Sequence, residues 1–229
     1  MVSDRTVLPQ AVLLDLDGTL VDTEDLWWQT EVELFAGWGY RLEETSRAVV
    51  AGGPMARVVD HLLRTTGVDL TPAALTALIQ DGYLARLAGG TPLMAGAREL
   101  LRLLGDHGIP VALVSAAERR VVDIVMGTVG SQHFAVTVAG DEVDRNKPHP
   151  DPYITAVEAL GVDPARCVAV EDSMTGVLSA EAAGCPVIAV PSVAPITPGP
   201  GRLVLDSLLH IDLAALGRIA NYRQILEKT

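Results

Sequence analysis

The chain has 229 residues, 49% of them hydrophobic and only 4% aromatic, enough to bury a sizeable core in one large domain or two modest ones. A net charge of −12 with no basic patch argues against nucleic acid as a partner, and no apolar run approaches the ~20 residues that span a bilayer. An acidic protein that handles an anion must make positive potential locally, from a metal, a lysine or helix N-termini.

In chain order, the N-terminal stretch lacks the long apolar run of a secretion signal, so a soluble, cytoplasmic protein is expected. A first apolar run over 11–16 predicts a buried strand. The interval 22–90 then contains no convincing strand but about three helical patterns, over 24–38, 55–66 and 72–87, the last opened by Thr71-Pro72 as N-cap and N1 proline. Gly89-Gly90-Thr91-Pro92 reads as a return linker. Beyond it, strand signals at 110–115, 135–139, 167–171, 186–190 and, more weakly, 203–205 alternate with helical periodicity at 96–107, 118–129, 152–160 and 176–183. Such alternation predicts an α/β fold, a Rossmann-like parallel sheet with helices on both faces and right-handed crossovers. The tail after Val190, rich in proline and glycine, reads as surface loop before a last helix near 211–225. The expected organisation is thus a core of 1–21 and 91–229, with an all-helical cap, 22–90, inserted after the first strand. Entering beside that strand's end, the insert would act as a lid. Cys167 and Cys185 have apolar, strand-like neighbours and no metal-ligand spacing, which predicts core residues in a reducing compartment.

Four predicted strand ends carry distinctive polar groups, and in parallel sheets ligands bind beyond the carboxyl ends of the strands. The first is Asp15-Leu16-Asp17-Gly18-Thr19. Residues i and i+2 of a strand point the same way, so two acids meet at one place, where Gly18 permits a sharp turn. One acid can attack while the other moves protons or helps to hold a metal; an isolated pair of this kind is equally an acidic turn. Ser115 ends the second strand, as an anion ligand or as an ordinary N-cap. The third group is Asn146-Lys147-Pro148-His149-Pro150-Asp151-Pro152. Of the seventeen Lys and Arg residues only Lys147 and Lys228 are lysines, and prolines restrain the backbone around Lys147. It offers a compact point charge for a carboxylate or a phosphoryl oxygen, whereas His149 reads as a surface histidine. Glu171-Asp172-Ser173 ends the fourth strand. Adjacent acids there need a cation to offset their desolvation, for which oxygen ligands suit Mg²⁺; alternatively they form an acidic helix start. Taken together, a nucleophile with a neighbouring acid, a hydroxyl, a lysine and an acid pair suit phosphoryl transfer.

These four motifs, with the first extending to Asp15-Leu16-Asp17-Gly18-Thr19-Leu20-Val21-Asp22-Thr23-Glu24, resemble the haloacid dehalogenase-like hydrolase superfamily, and in particular its phosphoglucomutase-like branch with a helical cap. The resemblance implies that Asp15 forms an aspartyl-phosphate and that Asp17 protonates the leaving alcohol, then activates water. It implies that Ser115 and Lys147 hold phosphoryl oxygens. It also implies Mg²⁺ bound by Asp15, the Asp17 main-chain carbonyl and Asp172, with Glu171 a ligand or a support. Thr19 and the Gly18 turn would belong to a mobile segment coupled to cap closure. Substrate contacts are expected from Thr19, Glu24, Arg57, Ser115, Ala116 and Lys147, with Met55 a further candidate; Arg57 is also readable as a solvated helix arginine.

Asp17 separates phosphate-ester cleavage from dehalogenation, because an oxygen leaving group needs a proton and halide does not. In the mutases of this branch a histidine stands where this chain has Trp27, and their cap supplies a lysine that the segment from Glu24 to Gly90 lacks. The expected activity is therefore a Mg²⁺-dependent phosphatase acting on a small phosphorylated metabolite, such as a sugar phosphate. The alternatives are a phosphosugar mutase and a receiver-like phospho-aspartate signalling domain. A capped enzyme with a moving lid suits a monomer, with neither nucleic acid nor membrane as partner.

Overall fold

The computed structural model describes residues 7–50 and 55–222. They fall into two compact units, one formed by residues up to Val21 together with those from Leu93 onward, the other by Asp22–Pro92.

The first unit is built on six parallel strands, β1 (Val12–Leu14), β2 (Val111–Val114), β3 (Val136–Val138), β4 (Val168–Glu171), β5 (Val187–Ala189) and β6 (Arg202–Val204), in the order β3-β2-β1-β4-β5-β6. β1 is central, with Leu13 level with both Ala112 of β2 and Ala169 of β4. The strand order reverses direction on either side of it, which is where a doubly wound sheet opens its ligand crevice. The four inner strands, β1, β2, β4 and β5, are short, Val-, Leu- and Ala-rich and buried throughout, the composition expected of a parallel sheet covered on both faces, while the outer strands β3 and β6 are only partly buried. One face buries Leu13, Ala112, Val114, Ala169 and Val187 with Tyr153, Ala156 and Val157 of α7 (Asp151–Leu160) and Val177 and Ala180 of α8 (Met174–Ala182). Each fully buried Leu or Val side chain contributes about 1.5–3 kcal/mol by leaving water. Cys167 and Cys185 are buried in this cluster and form no disulfide.

Two readings of the sequence need correction here. The tail after Val190 is more than surface loop, because Ile196 is buried in the core and Arg202 holds the segment down. Its guanidinium pairs with both oxygens of Glu181 (2.8 and 2.7 Å) and donates to the Thr197 carbonyl at 3.0 Å. The last described helix, Leu213–Ala220, is shorter than expected; the end of the expected range lies outside the described residues.

The second unit contains four helices among its described residues, α1 (Glu24–Ala36), α2 (Glu44–Val50), α3 (Met55–Thr66) and α4 (Pro72–Ala88). The unanticipated one, α2, is a short helix with β-branched residues (Glu-Thr-Ser-Arg-Ala-Val-Val), too brief for a periodic signal. Thr71 caps α4 as expected, its hydroxyl accepting from the Ala74 amide at 3.2 Å. Phe35, Val58, Val59, Leu62, Leu75 and Ile79 form the unit's core. Trp27 stacks on Tyr83 with centroids 3.7 Å apart, and α1 meets α4 so closely that a Cβ at Gly82 would lie 2.8 Å from the Thr30 methyl. Inside α1, Glu31 is only 3% exposed. Burial, reinforced by Glu24, pushes its carboxyl up to about 7, and its Oε2 has no hydrogen-bond partner. No helix among the described residues is long and apolar enough to cross a membrane.

Candidate active site

The β1 ladder ends at Leu14, so strand alternation does not itself place Asp15 and Asp17. A tight turn does that work. Gly18 adopts φ +78°, its amide donates to the Val21 carbonyl at 2.8 Å, and the amides of Leu20 and Val21 return to the Leu16 carbonyl at 2.9 and 3.1 Å. A side chain at Gly18 is excluded twice, by that φ and by a Cβ that would lie 2.1 Å from Asp172 Oδ2. The turn leaves Asp15 against β4, its amide donating to the Val170 carbonyl at 3.1 Å, while Asp17 faces Ser115, whose hydroxyl donates to Asp17 Oδ2 at 3.4 Å.

Lys147 stands at the centre of the cluster. Its side chain is 3% exposed, and each of its three N–H donors has an acceptor: Asp15 Oδ1 at 2.7 Å, Glu171 Oε1 at 2.6 Å and the Val114 carbonyl at 2.8 Å. Burial alone would lower its pKa, but the two carboxylates outweigh burial and hold the ammonium above the ordinary lysine range. Asp15 Oδ1 is thereby committed, and Asp15 Oδ2, also buried, has no hydrogen-bond partner.

Glu171, fully buried at the end of β4, is gripped from several sides. Its Oε1 also accepts from the Tyr153 hydroxyl at 2.6 Å, Oε2 accepts from Ser173 at 3.4 Å, and a Cβ at Gly176 would lie 1.9 Å from the carboxylate. Burial, followed by Asp15, pushes Glu171 up to about 7 against the opposing pull of Lys147 and Tyr153. Asp172 is pushed up to about 8 by burial and then Asp15, opposed by the Ser192 hydroxyl that donates to its Oδ2 at 2.5 Å. Asp15, Glu171 and Asp172 each offer an oxygen, all within 4.8 Å of one another. One ammonium does not balance three carboxylates at that separation. An oxygen-only donor set with two acids driven toward protonation fits a hard divalent cation.

The loops after β2 and β3 are tied together. Asn146 donates from Nδ2 to the Ala116 carbonyl at 2.9 Å and accepts at Oδ1 from the Lys147 amide at 2.7 Å, and the Gly140 amide donates to the Ala117 carbonyl at 2.7 Å. At the head of α6 (Arg119–Val129), which follows β2 as α5 (Ala97–Asp106) precedes it, Arg119 pairs with both oxygens of Glu142 (2.8 and 2.5 Å). Ser115 is fully buried and accepts from the Ala117 amide at 3.0 Å. The cap position of α6 is Glu118, so Ser115 is not the N-cap.

Asp15, Asp17, Ser115, Lys147, Glu171 and Asp172 are therefore gathered at one edge of the sheet, with Ala116 beside them in the loop after β2. Thr19 is different, being 1% exposed with its hydroxyl unpartnered. Glu24 and Arg57 belong to the helical unit, Glu24 in the first turn of α1 beside Glu31 and Arg57 on the exposed side of α3; Met55 opens α3, half-buried at the edge of that unit's core. His149 is exposed. The sequence carries no signal for the roles of Tyr153, Asn146 and Ser192: Asn146 lies in the lysine motif and Tyr153 directly after it, with nothing to mark their contacts, and Ser192 lies in a proline-rich tail.

Comparison with known proteins agrees with this arrangement. The family model described as haloacid dehalogenase-like hydrolase matches residues 9–184. Protein CbbY of Rhodobacter capsulatus is 34% identical over 80% of this chain and 86% of its own length. Hexitol phosphatase B of Escherichia coli is 29% identical over 94% of this chain and 97% of its own. The crystal structure of a mutant CbbY from Rhodobacter sphaeroides in complex with xylulose-(1,5)bisphosphate superposes with a TM-score of 0.70 at 28% identity, covering 89% of this chain and 96% of that one. On the strength of its sheet order, its clustered motifs and these matches, the chain belongs to the haloacid dehalogenase-like hydrolases.

Proposed function

We propose that the chain is a Mg²⁺-dependent phosphatase that hydrolyses a small sugar phosphate through an aspartyl-phosphate on Asp15. The observation that carries this reading is the asymmetry of Asp15, with Oδ1 held by Lys147 and Oδ2 buried without a partner. The free oxygen attacks phosphorus, the P–O bond to the sugar breaks, and Asp17 gives its proton to the departing alkoxide. Asp17 then takes a proton from water as that water attacks the phosphorus of the intermediate, which releases inorganic phosphate and restores Asp15. Ser115 and Lys147 hold phosphoryl oxygens in place, and Lys147 keeps Asp15 oriented. Mg²⁺, held by Asp15, the Asp17 carbonyl, Asp172 and Glu171 as ligand or support, would offset the charge of the phosphoryl group.

The names of the relatives, a hexitol phosphatase and a protein complexed with a ketose bisphosphate, support polyol or sugar phosphates as the substrate class. Since the core groups engage only phosphate, the helical unit is read as the source of discrimination among alcohols. Trp27 is occupied in stacking on Tyr83, and that unit's sequence has no lysine, which disfavours the mutase. Purified protein with Mg²⁺, screened against phosphorylated hexitols, ketoses and bisphosphates, should release phosphate from a subset without forming an isomer. Isomer formation without net phosphate release would replace this reading with the mutase.

A further inference from the structure

We propose that the Tyr153 hydroxyl is a positioning group that fixes Glu171 as the counter-ion of Lys147 and so sets the pose of the phosphate-binding ammonium; this rests on the phosphatase reading above. Tyr153, on α7, is fully buried. For filling the core a phenyl ring would serve as well, and a buried hydroxyl is costly unless it is well paired. Here it donates at 2.6 Å to Glu171 Oε1, the same atom that accepts Lys147 Nζ at 2.6 Å. The Tyr153 ring lies 5.2 Å from Nζ, so the residue supports the lysine both directly, by its face, and indirectly, through Glu171. On the other side the carboxylate meets Gly176, where no Cβ fits. The hydroxyl therefore acts along the path Tyr153 to Glu171 to Lys147 to Asp15, with every link a short, charge-assisted hydrogen bond.

Tyr153→Phe removes the hydroxyl and keeps the ring. With Mg²⁺ saturating, inorganic phosphate should bind about tenfold more weakly to Tyr153→Phe than to the parent protein, read by calorimetry. In the Glu171→Gln background the same change should cost less than about twofold, because the counter-charge that the hydroxyl holds in place is gone. Phosphate affinity unchanged by Tyr153→Phe, or losses that simply add in the double variant, would overturn the proposal and leave only a packing role. Turnover surviving Asp15→Asn would instead refute the parent reading, and the proposal with it.

Discussion

In the core unit three carboxylates gather where β1 and β4 end, and each is answered: Asp15 and Glu171 by Lys147, Glu171 again by Tyr153, Asp172 by Ser192. In the helical unit Glu31 is buried almost as deeply, yet its Oε2 has no hydrogen bond, and the charge that adds to the effect of burial is another acid, Glu24. The contrast separates two uses of buried charge. Paired acids around a lysine make a rigid site with one oxygen left over for chemistry. An acid without such pairing makes a group whose cost depends on pH.

The largest expected effect that would break this contrast comes from Lys147→Met. It leaves two buried carboxylates unpaired, which costs about 3–5 kcal/mol, measurable by urea denaturation, and turnover should fall at least about a thousandfold. Asp15→Asn and Asp17→Asn should also abolish turnover, but with the fold retained by circular dichroism; full activity in either would sink the mechanism. Gly176→Ala is expected to destabilise by about 1–3 kcal/mol by overpacking against Glu171, with a parallel drop in activity. Glu31→Gln tests the helical unit. Folding raises this pKa from 4.5 to about 7, so the protonated acid is tolerated at low pH and stability is lost as pH climbs through that window. The variant should therefore be more stable than the parent by about 1–3 kcal/mol at pH 8 and indistinguishable from it at pH 4. The smallest effect belongs to Arg64→Ala, whose pair with Asp60 is largely exposed; its denaturation curve should overlay the parent's.

Much of the core was legible in the sequence because a carboxylate or a lysine that closes an apolar run is a local signal, and a parallel sheet brings such ends together. The convergence of Asp15, Ser115, Lys147 and Glu171 follows from that rule, whereas the order of the strands emerges only from the folded sheet. What remained hidden depends on contacts between distant segments. Tyr153 satisfies the apolar spacing of its helix with Ala156 and Val157, and nothing in that spacing reveals where its hydroxyl points. Ser192 sits among prolines and reads as loop until the fold brings it to Asp172. Glu31 lies between Thr30 and Val32 on a helix with acids at several positions, and its burial shows only once α1 and α4 are packed. Thr19, expected both in the Gly18 turn and as a substrate contact, lies in that turn, and its burial there shows only in the folded chain.

Whether Asp15 is the nucleophile can be decided by trapping. The protein would be mixed with Mg²⁺ and p-nitrophenyl phosphate, quenched in acid within a turnover, reduced with borohydride and digested for mass spectrometry. The side chain at position 15 should be recovered as homoserine, the reduction product of an acyl phosphate, with no other aspartate converted. Phosphate release with position 15 recovered unmodified would contradict it.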